Sequence, residues 1–257
     1  MFNIFKKKAP EFEFYTSIPG LAHAFPIVPT RRVKMPWLAE SQSRFRAIMN
    51  SNRNSPAVKS TASHMCSGIG ELAHAGWVLT TWHDIEITTN GDGRMFEWQM
   101  PPMNRTLQFT HISSFDPDLF GDFVDFPPQS LKTLVKINTP WHVRAPRGWG
   151  LLMMPLQYHN ETRFTGCTGI IDPELSSVLN GLLFWHVLND RVLLPAGTPL
   201  CQLMPIRLGS TPEFLCRDAS PQELAQIDLD LTVRQGSWTN SNRRAREAYR
   251  SFFGVKQ

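Results

Sequence analysis

The chain has 257 residues, 42% of them hydrophobic, which is enough to build a core for one large β-rich domain or two smaller ones. Its net charge of +4 is mild, and the basic residues gather near both ends, a pattern typical of solvated termini rather than of a nucleic-acid surface. The sequence lacks a signal-peptide pattern, a membrane-length apolar run and CxxC spacing among its four cysteines, so it predicts a soluble protein with free thiols and no zinc ribbon.

The N-terminal part is predicted to be extended, with one short helix. Glu11–Tyr15 alternates polar and aromatic residues, as a strand does. Residues 24–37 contain three prolines and indicate an edge strand or loop. Ala39–Met49 is compatible with a short helix, and Ser51–Pro56 forms a polar break.

A helix followed by a β-hairpin is predicted next. Ser60–Ala75 places apolar side chains three and four residues apart, and Gly76 is a suitable helix end. Asn90–Gly93 has the composition of a hairpin turn. The predicted strands around this turn are Trp77–Thr81, His83–Thr88 and Met95–Met100.

The second half predicts a series of short strands. Residues 116–128 have the acidic, aromatic and proline-containing composition of a surface loop. The strands that follow lie at the close spacing of all-β folds, and one apolar run ends at an acid in Gly169–Asp172. The predicted strands are Thr133–Asn138, Trp141–Arg144, Trp149–Leu156, Gly181–Leu188, Val192–Pro195 and Leu200–Ile206.

The C-terminal part predicts two helices with a strand between them. Pro212–Gln226 contains a short helix, because Ser220 can cap it and Pro221 suits the first helical position. Leu229–Val233 alternates as a strand would. Asn242–Phe253 is predicted to be a basic helix that docks on its own domain or on another subunit.

Residues 133–207 resemble the dUTPase and dCTP-deaminase superfamily. The likeness rests on Gly169-Ile170-Ile171-Asp172, on Asn180, and on Leu194–Leu203 with its Pro-Ala-Gly-Thr-Pro turn and Gln-Leu pair. The Pro-Arg-Gly turn between Trp141 and Trp149 lies where the family has a strand turn. The whole layout also resembles proteins of tailed phages, which implies a bacteriophage origin.

The resemblance implies a mainly β protein with a central β-clip (dUTPase-like) domain. An N-terminal helix-hairpin unit and a C-terminal helix are expected around it. We expect residues 1–128 to pack on the core, residues 129–210 to form the β-clip-like core, and residues 211–257 to be helical. The three segments can also form a single domain.

By the same resemblance, Asp172 occupies the position that activates water or holds the sugar, and it is the candidate catalytic residue. The candidate ligand-binding residues are Arg144, Arg147, Asn180 and Gln202, and Mg²⁺ is the expected ion if a nucleotide binds. Three departures from the family argue against catalysis. The Arg-Ser-Gly phosphate motif is missing between Leu152 and Gly169, Pro173 follows the acid directly, and no glycine-rich arm follows.

Other candidate sites have simpler interpretations. His83 and the acids Asp84 and Glu86 fall on opposite faces of a strand, which favours a polar-faced strand over an iron site. The Trp-His pairs 141–142 and 185–186 predict core tryptophans beside hydrogen-bonded histidines. Cys167 is predicted to be a buried, unreactive thiol.

Three functions are therefore open. The first is a non-enzymatic phage structural or interaction protein that forms a homo-oligomer or binds other phage proteins, in the host cytoplasm or the virion. The alternative is a nucleotide-binding protein or nucleotide pyrophosphatase of the dUTPase type that uses Asp172. The third is an iron/2-oxoglutarate-type oxygenase. No resident metal, nucleic-acid partner or membrane partner is expected under the first hypothesis.

Overall fold

The longest strand, β7 (Leu134–Arg144), runs through the centre of the first sheet because its alternate residues are apolar and buried. Two shorter predicted strands are thus one strand that continues through Pro140. One edge of β7 pairs with other strands at residues 135–137 and 141–144, and Pro140 lies in the gap between them. A proline is tolerated there because no neighbouring strand requires its missing N–H group.

This computed structural model describes residues 10–51, 67–101, 112–114, 126–209 and 213–236. The first sheet has the order β1-β7-β11-β9, with β6 also paired to β7, and each pairing is antiparallel. Its other strands are β1 (Glu13–Thr16), β6 (Ile112–Ser114), β9 (Phe164–Gly166) and β11 (Val178–Trp185).

The second and third sheets combine strands from both halves of the chain. The second has the order β10-β8-β13-β3-β2 and the third β12-β4-β5. Strands β4 and β5 pair antiparallel across the turn predicted at Asn90–Gly93. The remaining strands are β2 (Val28–Pro29), β3 (Trp77–Thr80), β4 (Ile85–Thr89), β5 (Phe96–Gln99), β8 (Trp149–Met154), β10 (Gly169–Ile171), β12 (Arg191–Leu194) and β13 (Pro199–Arg207).

Two clusters of buried side chains hold the sheets together. The first contains Trp185, which is stacked on Phe164 with ring centroids 6.2 Å apart. The second contains Trp141 and Cys201, and the aromatic rings of Phe12 and Phe14 pack against it. Burying aromatic rings of this size stabilises the fold strongly, because each removes about 150–250 Å² from water.

The first helices lie before β3. They are α1 (Leu21–Ala24), the 3₁₀ turn η1 (Thr30–Arg32), α2 (Pro36–Ser51) and α3 (Ser67–His74). Helix α2 agrees with the helix predicted at Ala39–Met49. Helix α3 matches the second half of the helix predicted from Ser60, and its first half lies outside the described residues. None of the described helices combines the length and the apolar character that crossing a membrane requires.

Helix α4 (Pro221–Gly236) corrects one sequence prediction, because the strand expected at Leu229–Val233 is helical. The apolar residues of Leu229–Val233 fit both the two-residue period of a strand and the 3.6-residue period of a helix. The capping box formed by Ser220 and Glu223 favours the helix. Ser220 Oγ accepts the amide of Glu223 at 3.3 Å, and Glu223 Oε2 accepts the amide of Ser220 at 2.8 Å. Pro221 occupies the first helical position as predicted.

Acidification is expected to loosen the start of α4. Hydrogen bonds from Arg217 and Ser220 lower the pKa of Glu223 from 4.5 to about 2. A carboxylate with a lowered pKa stabilises the folded state above its ordinary pKa, and that contribution is lost as the pH falls towards 2. Amide exchange at residues 221–226 should therefore speed up below pH 4.5 relative to the rest of the chain. Glu223→Gln should abolish this acid-dependent step, and Glu213→Gln should preserve it.

The chain divides into two compact units, Met1–Trp37 with Ser67–Ser210, and Leu38–Cys66 with Thr211–Gln257. The first holds all three sheets, and the described part of the second holds helical segments. The mainly β class with several antiparallel sheets is as predicted. The boundaries expected at residues 128 and 210 stay predictions. The polar break at 52–56, the loop at 116–125 and the basic helix at Asn242–Phe253 lie outside the described residues.

Candidate functional site

Asp172 lies directly after β10, where the strand ends in a tight turn. Its side chain is half-buried, and its Oδ1 accepts the backbone amide of Glu174 at 2.9 Å. Its backbone carbonyl accepts the amides of Leu175 at 3.1 Å and Ser176 at 2.9 Å. This is the local bonding by which an aspartate closes a turn. One carboxylate oxygen of the candidate acid therefore holds the chain in place.

The turn between β7 and β8 contacts the Asp172 turn. The amide of Gly148 donates to Glu174 Oε1 at 3.2 Å, and the amide of Val143 donates to the carbonyl of Ser177 at 2.8 Å. These bonds bring the connections that carry Arg144, Arg147 and Asp172 to the same end of the sheets. The roles predicted for these three residues stay predictions.

The two arginines differ in their surroundings. Arg144 forms an ion pair with Glu13 on the neighbouring strand, and its guanidinium lies 5.4 Å from the ring centre of Tyr15. The side chain of Arg147 is exposed on the turn itself. An anion that approached Arg144 would have to compete with Glu13 for the same donors.

Asn180 and Gln202 have structural contacts elsewhere in the sheets. Asn180 Oδ1 accepts the amide of Thr139 at 3.2 Å, beside the irregular register between β7 and β11. Gln202 is 0% exposed, and its Nε2 donates to the carbonyls of Leu72 at 2.9 Å and Ala75 at 2.7 Å. These contacts anchor the end of α3, and the ligand contact predicted for Gln202 stays a prediction.

The Trp-His pairs follow the prediction. Trp141 and Trp185 are buried in the two cores. His142 Nδ1 lies 3.1 Å from Ser177 Oγ, and His186 Nε2 lies 2.7 Å from Thr165 Oγ1. Burial lowers the pKa of His186, so its imidazole is neutral at neutral pH.

The candidate metal residues have other partners in the structure. Asp84 Oδ1 accepts the amide of Ala196 at 2.8 Å, and Glu86 forms an ion pair with Arg191 at 2.6 Å. His83 Nδ1 lies 2.8 Å from the carbonyl of Asp84. Within the described ranges, no group of three or more histidine, cysteine or acidic side chains is placed to hold a metal ion.

The described cysteines of the sheets are thiols at neutral pH. Burial raises the pKa of Cys167 to about 11. Burial, with a smaller contribution from Cys167, raises the pKa of Cys201 to about 12. A reactive cysteine needs a thiolate, so these values agree with the unreactive role predicted for Cys167. The burial predicted for Cys167 is wrong in part, because its side chain is half-buried.

A cleft of about 320 Å³ lies beside β9, and the sequence did not indicate it. Residues 155–161 and 164–166 line it together with Pro199 and Leu200, and we call it the Tyr158 cleft. Tyr158 and Asn160 have φ angles of 60° and 59°, in the left-handed region. That conformation costs about 1–3 kcal/mol for a bulky residue such as tyrosine, and strain of this kind collects at functional sites.

The loop of the Tyr158 cleft is held by its own contacts. Arg163 donates through Nε and Nη2 to the two carboxylate oxygens of Glu161, at 2.8 and 2.7 Å. Arg163 Nη1 also donates to the carbonyl of Leu193 at 3.0 Å. Burial acts to raise the pKa of Glu161, but the hydrogen bonds and charge of Arg163 lower it overall, so the pair stays ionised. The ring of Trp37 packs on Tyr158 with centroids 5.6 Å apart.

No protein-family model matches the chain, and the comparison with curated proteins gives no match. Solved structures do match. The native dUTPase of EIAV is 12% identical, with a TM-score of 0.32, over 57% of this chain and 87% of its own. A dUTPase of S. aureus phage phi11, described with a structural Mg(II) ion, is 13% identical, with a TM-score of 0.31, over 56% of this chain and 84% of its own.

The dUTPase of Staphylococcus bacteriophage 80alpha is 15% identical, with a TM-score of 0.27, over 53% of this chain and 97% of its own. It is described as controlling transfer of virulence genes by a G protein-like mechanism. These three structures are dUTPases, and residues 133–207 carry motifs that resemble those of the dUTPase superfamily.

Proposed function

We propose that the chain is a non-enzymatic phage protein, structural or interacting, which uses a β-clip-like fold to bind other copies of itself or other phage proteins. The observation that carries this proposal is the bonding of Asp172. Its Oδ1 and its carbonyl together accept three backbone amides of the following residues. An acid engaged in this way stabilises a turn, and this role explains its position at a strand end without any reaction.

The neighbouring charged groups support the same interpretation. Arg144 is paired with Glu13, and Glu174 Oε1 accepts the amide of Gly148. Each of these side chains therefore joins two chain segments at this end of the sheets. A surface that is fixed by such bonds can present a rigid face to a partner, which lowers the entropy lost on association.

Asp172→Asn and Asp172→Ala are expected to separate the turn role from a catalytic role. Asparagine keeps an oxygen for the amide of Glu174, so stability should stay within about 0.5 kcal/mol of the original protein. Alanine removes that acceptor and should lower the free energy of unfolding by about 1 kcal/mol. Urea unfolding followed by tryptophan fluorescence measures both differences.

The enzyme assay that accompanies these variants uses dUTP and dCTP with Mg²⁺. The proposal expects no hydrolysis by the original protein. Turnover that disappears in Asp172→Asn while the fold stays intact would establish a catalytic acid and refute the non-enzymatic role.

A second candidate function is nucleotide binding of the dUTPase type. The observation that favours it is the placement of Arg144 and Arg147 on the connection that contacts the Asp172 turn. Guanidinium groups bind phosphates well, and Mg²⁺ is the ion that phosphate groups commonly share with carboxylates. Under this candidate, dUTP or dCTP with Mg²⁺ raises the melting temperature, and Arg147→Gln removes the increase. The absence of a shift with either nucleotide excludes it.

A further inference from the structure

The Tyr158 cleft has the size and lining of a small-molecule site. Its volume of about 320 Å³ lies at the lower end of the range for ligand pockets, about 300–1,000 Å³. The apolar lining includes Leu156, Phe164 and Leu200, and the polar lining includes Asn160 and Gln157, whose Nε2 donates to the carbonyl of Pro155 at 3.2 Å. An apolar surface with a few hydrogen-bonding groups is the usual composition of such pockets.

The conformation of the loop adds an independent observation. Within the described part of the chain, Tyr158 and Asn160 are the residues other than glycine with positive φ, and both line this cleft. The contact with Trp37 and the bonds between Arg163 and Glu161 hold the strained loop in place. These contacts therefore hold the Tyr158 ring, which is 41% exposed, at the cleft.

The charges around the cleft are compensated. Glu161 is the acidic residue of the lining, and Arg163 neutralises it through two hydrogen bonds. Thr165 Oγ1, which also lines the cleft, lies 2.7 Å from His186 Nε2. No arginine or lysine is among the lining residues, so a free anion or phosphate would gain little from this site.

We propose that the Tyr158 cleft is a binding site for a small, neutral, planar molecule that carries an amide group. A planar ring fits against the exposed face of Tyr158, where ring contacts are favourable. An amide offers both a donor and an acceptor, which can pair with Gln157 Oε1 and with the side-chain amide of Asn160 while Gln157 Nε2 stays bonded to Pro155. The site does not depend on Asp172 or on the non-enzymatic role proposed above.

The probes that test this proposal are benzamide and nicotinamide, with benzoate and nicotinate as their anionic counterparts. Titration of the full chain, labelled with ¹⁵N, at about pH 8 should shift the amide signals of residues 156–166, with a Kd of about 1 mM or tighter for at least one amide. The matching carboxylate should bind at least about 10-fold more weakly, because no arginine or lysine lines the cleft.

Variants locate the site. Tyr158→Gly is compatible with positive φ and removes the ring, so binding should weaken about 10-fold. Leu156→Trp fills the cleft and should abolish binding. It is the alternative test if Tyr158→Gly does not fold. Tyr15→Ala, which removes another exposed tyrosine, and Asp172→Asn should leave the affinity unchanged.

Three results would overturn the proposal. They are no amide shifts with either probe at about 10 mM, shifts that lie outside the cleft, or equal affinity for an amide and its carboxylate. Unchanged affinity in a folded Tyr158→Gly variant would likewise refute the role of the Tyr158 ring.

Discussion

Gly76→Ala is expected to lower the free energy of unfolding by about 3 kcal/mol or more, from the combined cost of a left-handed residue and a backbone clash. Gly76 connects α3 to β3 with φ +67°, a conformation that side chains other than glycine disfavour. An added Cβ would lie 2.0 Å from the carbonyl oxygen of Leu203, which is a backbone atom and cannot rotate away. The α3–β3 connection would have to move away from β13.

Gly93→Ala is the matched control for this substitution. Gly93 also has a positive φ, +72°, but no atom lies within 4 Å of its added Cβ. Gly93→Ala should therefore lower the free energy of unfolding only by the cost of the left-handed conformation, about 1 kcal/mol. Urea unfolding of both variants measures the difference. Equal losses would mean that the close approach of Gly76 to β13 does not matter, and would contradict the prediction.

Local features of the fold were predictable because interactions between residues close in sequence determine them. The helix end at Gly76 and the cap at Ser220 depend on neighbouring residues, and the apolar alternation of Leu134–Arg144 indicates a strand wherever its partners lie. Leu229–Val233 was predicted wrongly because its alternation also fits a helix. The hydrogen bonds between Ser220 and Glu223, one turn upstream, favour the helix.

The partners of the strands were less predictable, since pairing joins distant segments. Strand β4 pairs with β12 about a hundred residues later, and the sequence of neither strand indicates which strand is its partner. The candidate site divides in the same way. The turn at Asp172 follows from its own sequence, whereas the Tyr158 cleft depends on positive φ values that tyrosine and asparagine do not require.

Gln202→Leu is expected to destabilise the protein by about 2 kcal/mol, although the sequence suggested a ligand contact for this residue. The side-chain amide donates to the carbonyls of Leu72 and Ala75, at the end of α3. Carbonyls at a helix end lack partners within the helix, so the amide acts as a C-terminal cap supplied from β13. Leucine leaves both oxygens without this donor.

The expected loss in the free energy of unfolding stays near 2 kcal/mol, because leucine also removes a buried acceptor that lacks a donor. Gln202 Oε1 is buried and has no hydrogen-bond donor within the described structure. Gln99→Leu, an exposed change on β5, is the matched control and should shift stability by no more than about 0.5 kcal/mol. Chemical denaturation with amide exchange at residues 72–76 tests both. A Gln202→Leu protein as stable as the original, with unchanged exchange at the α3 end, would contradict the structural role of Gln202.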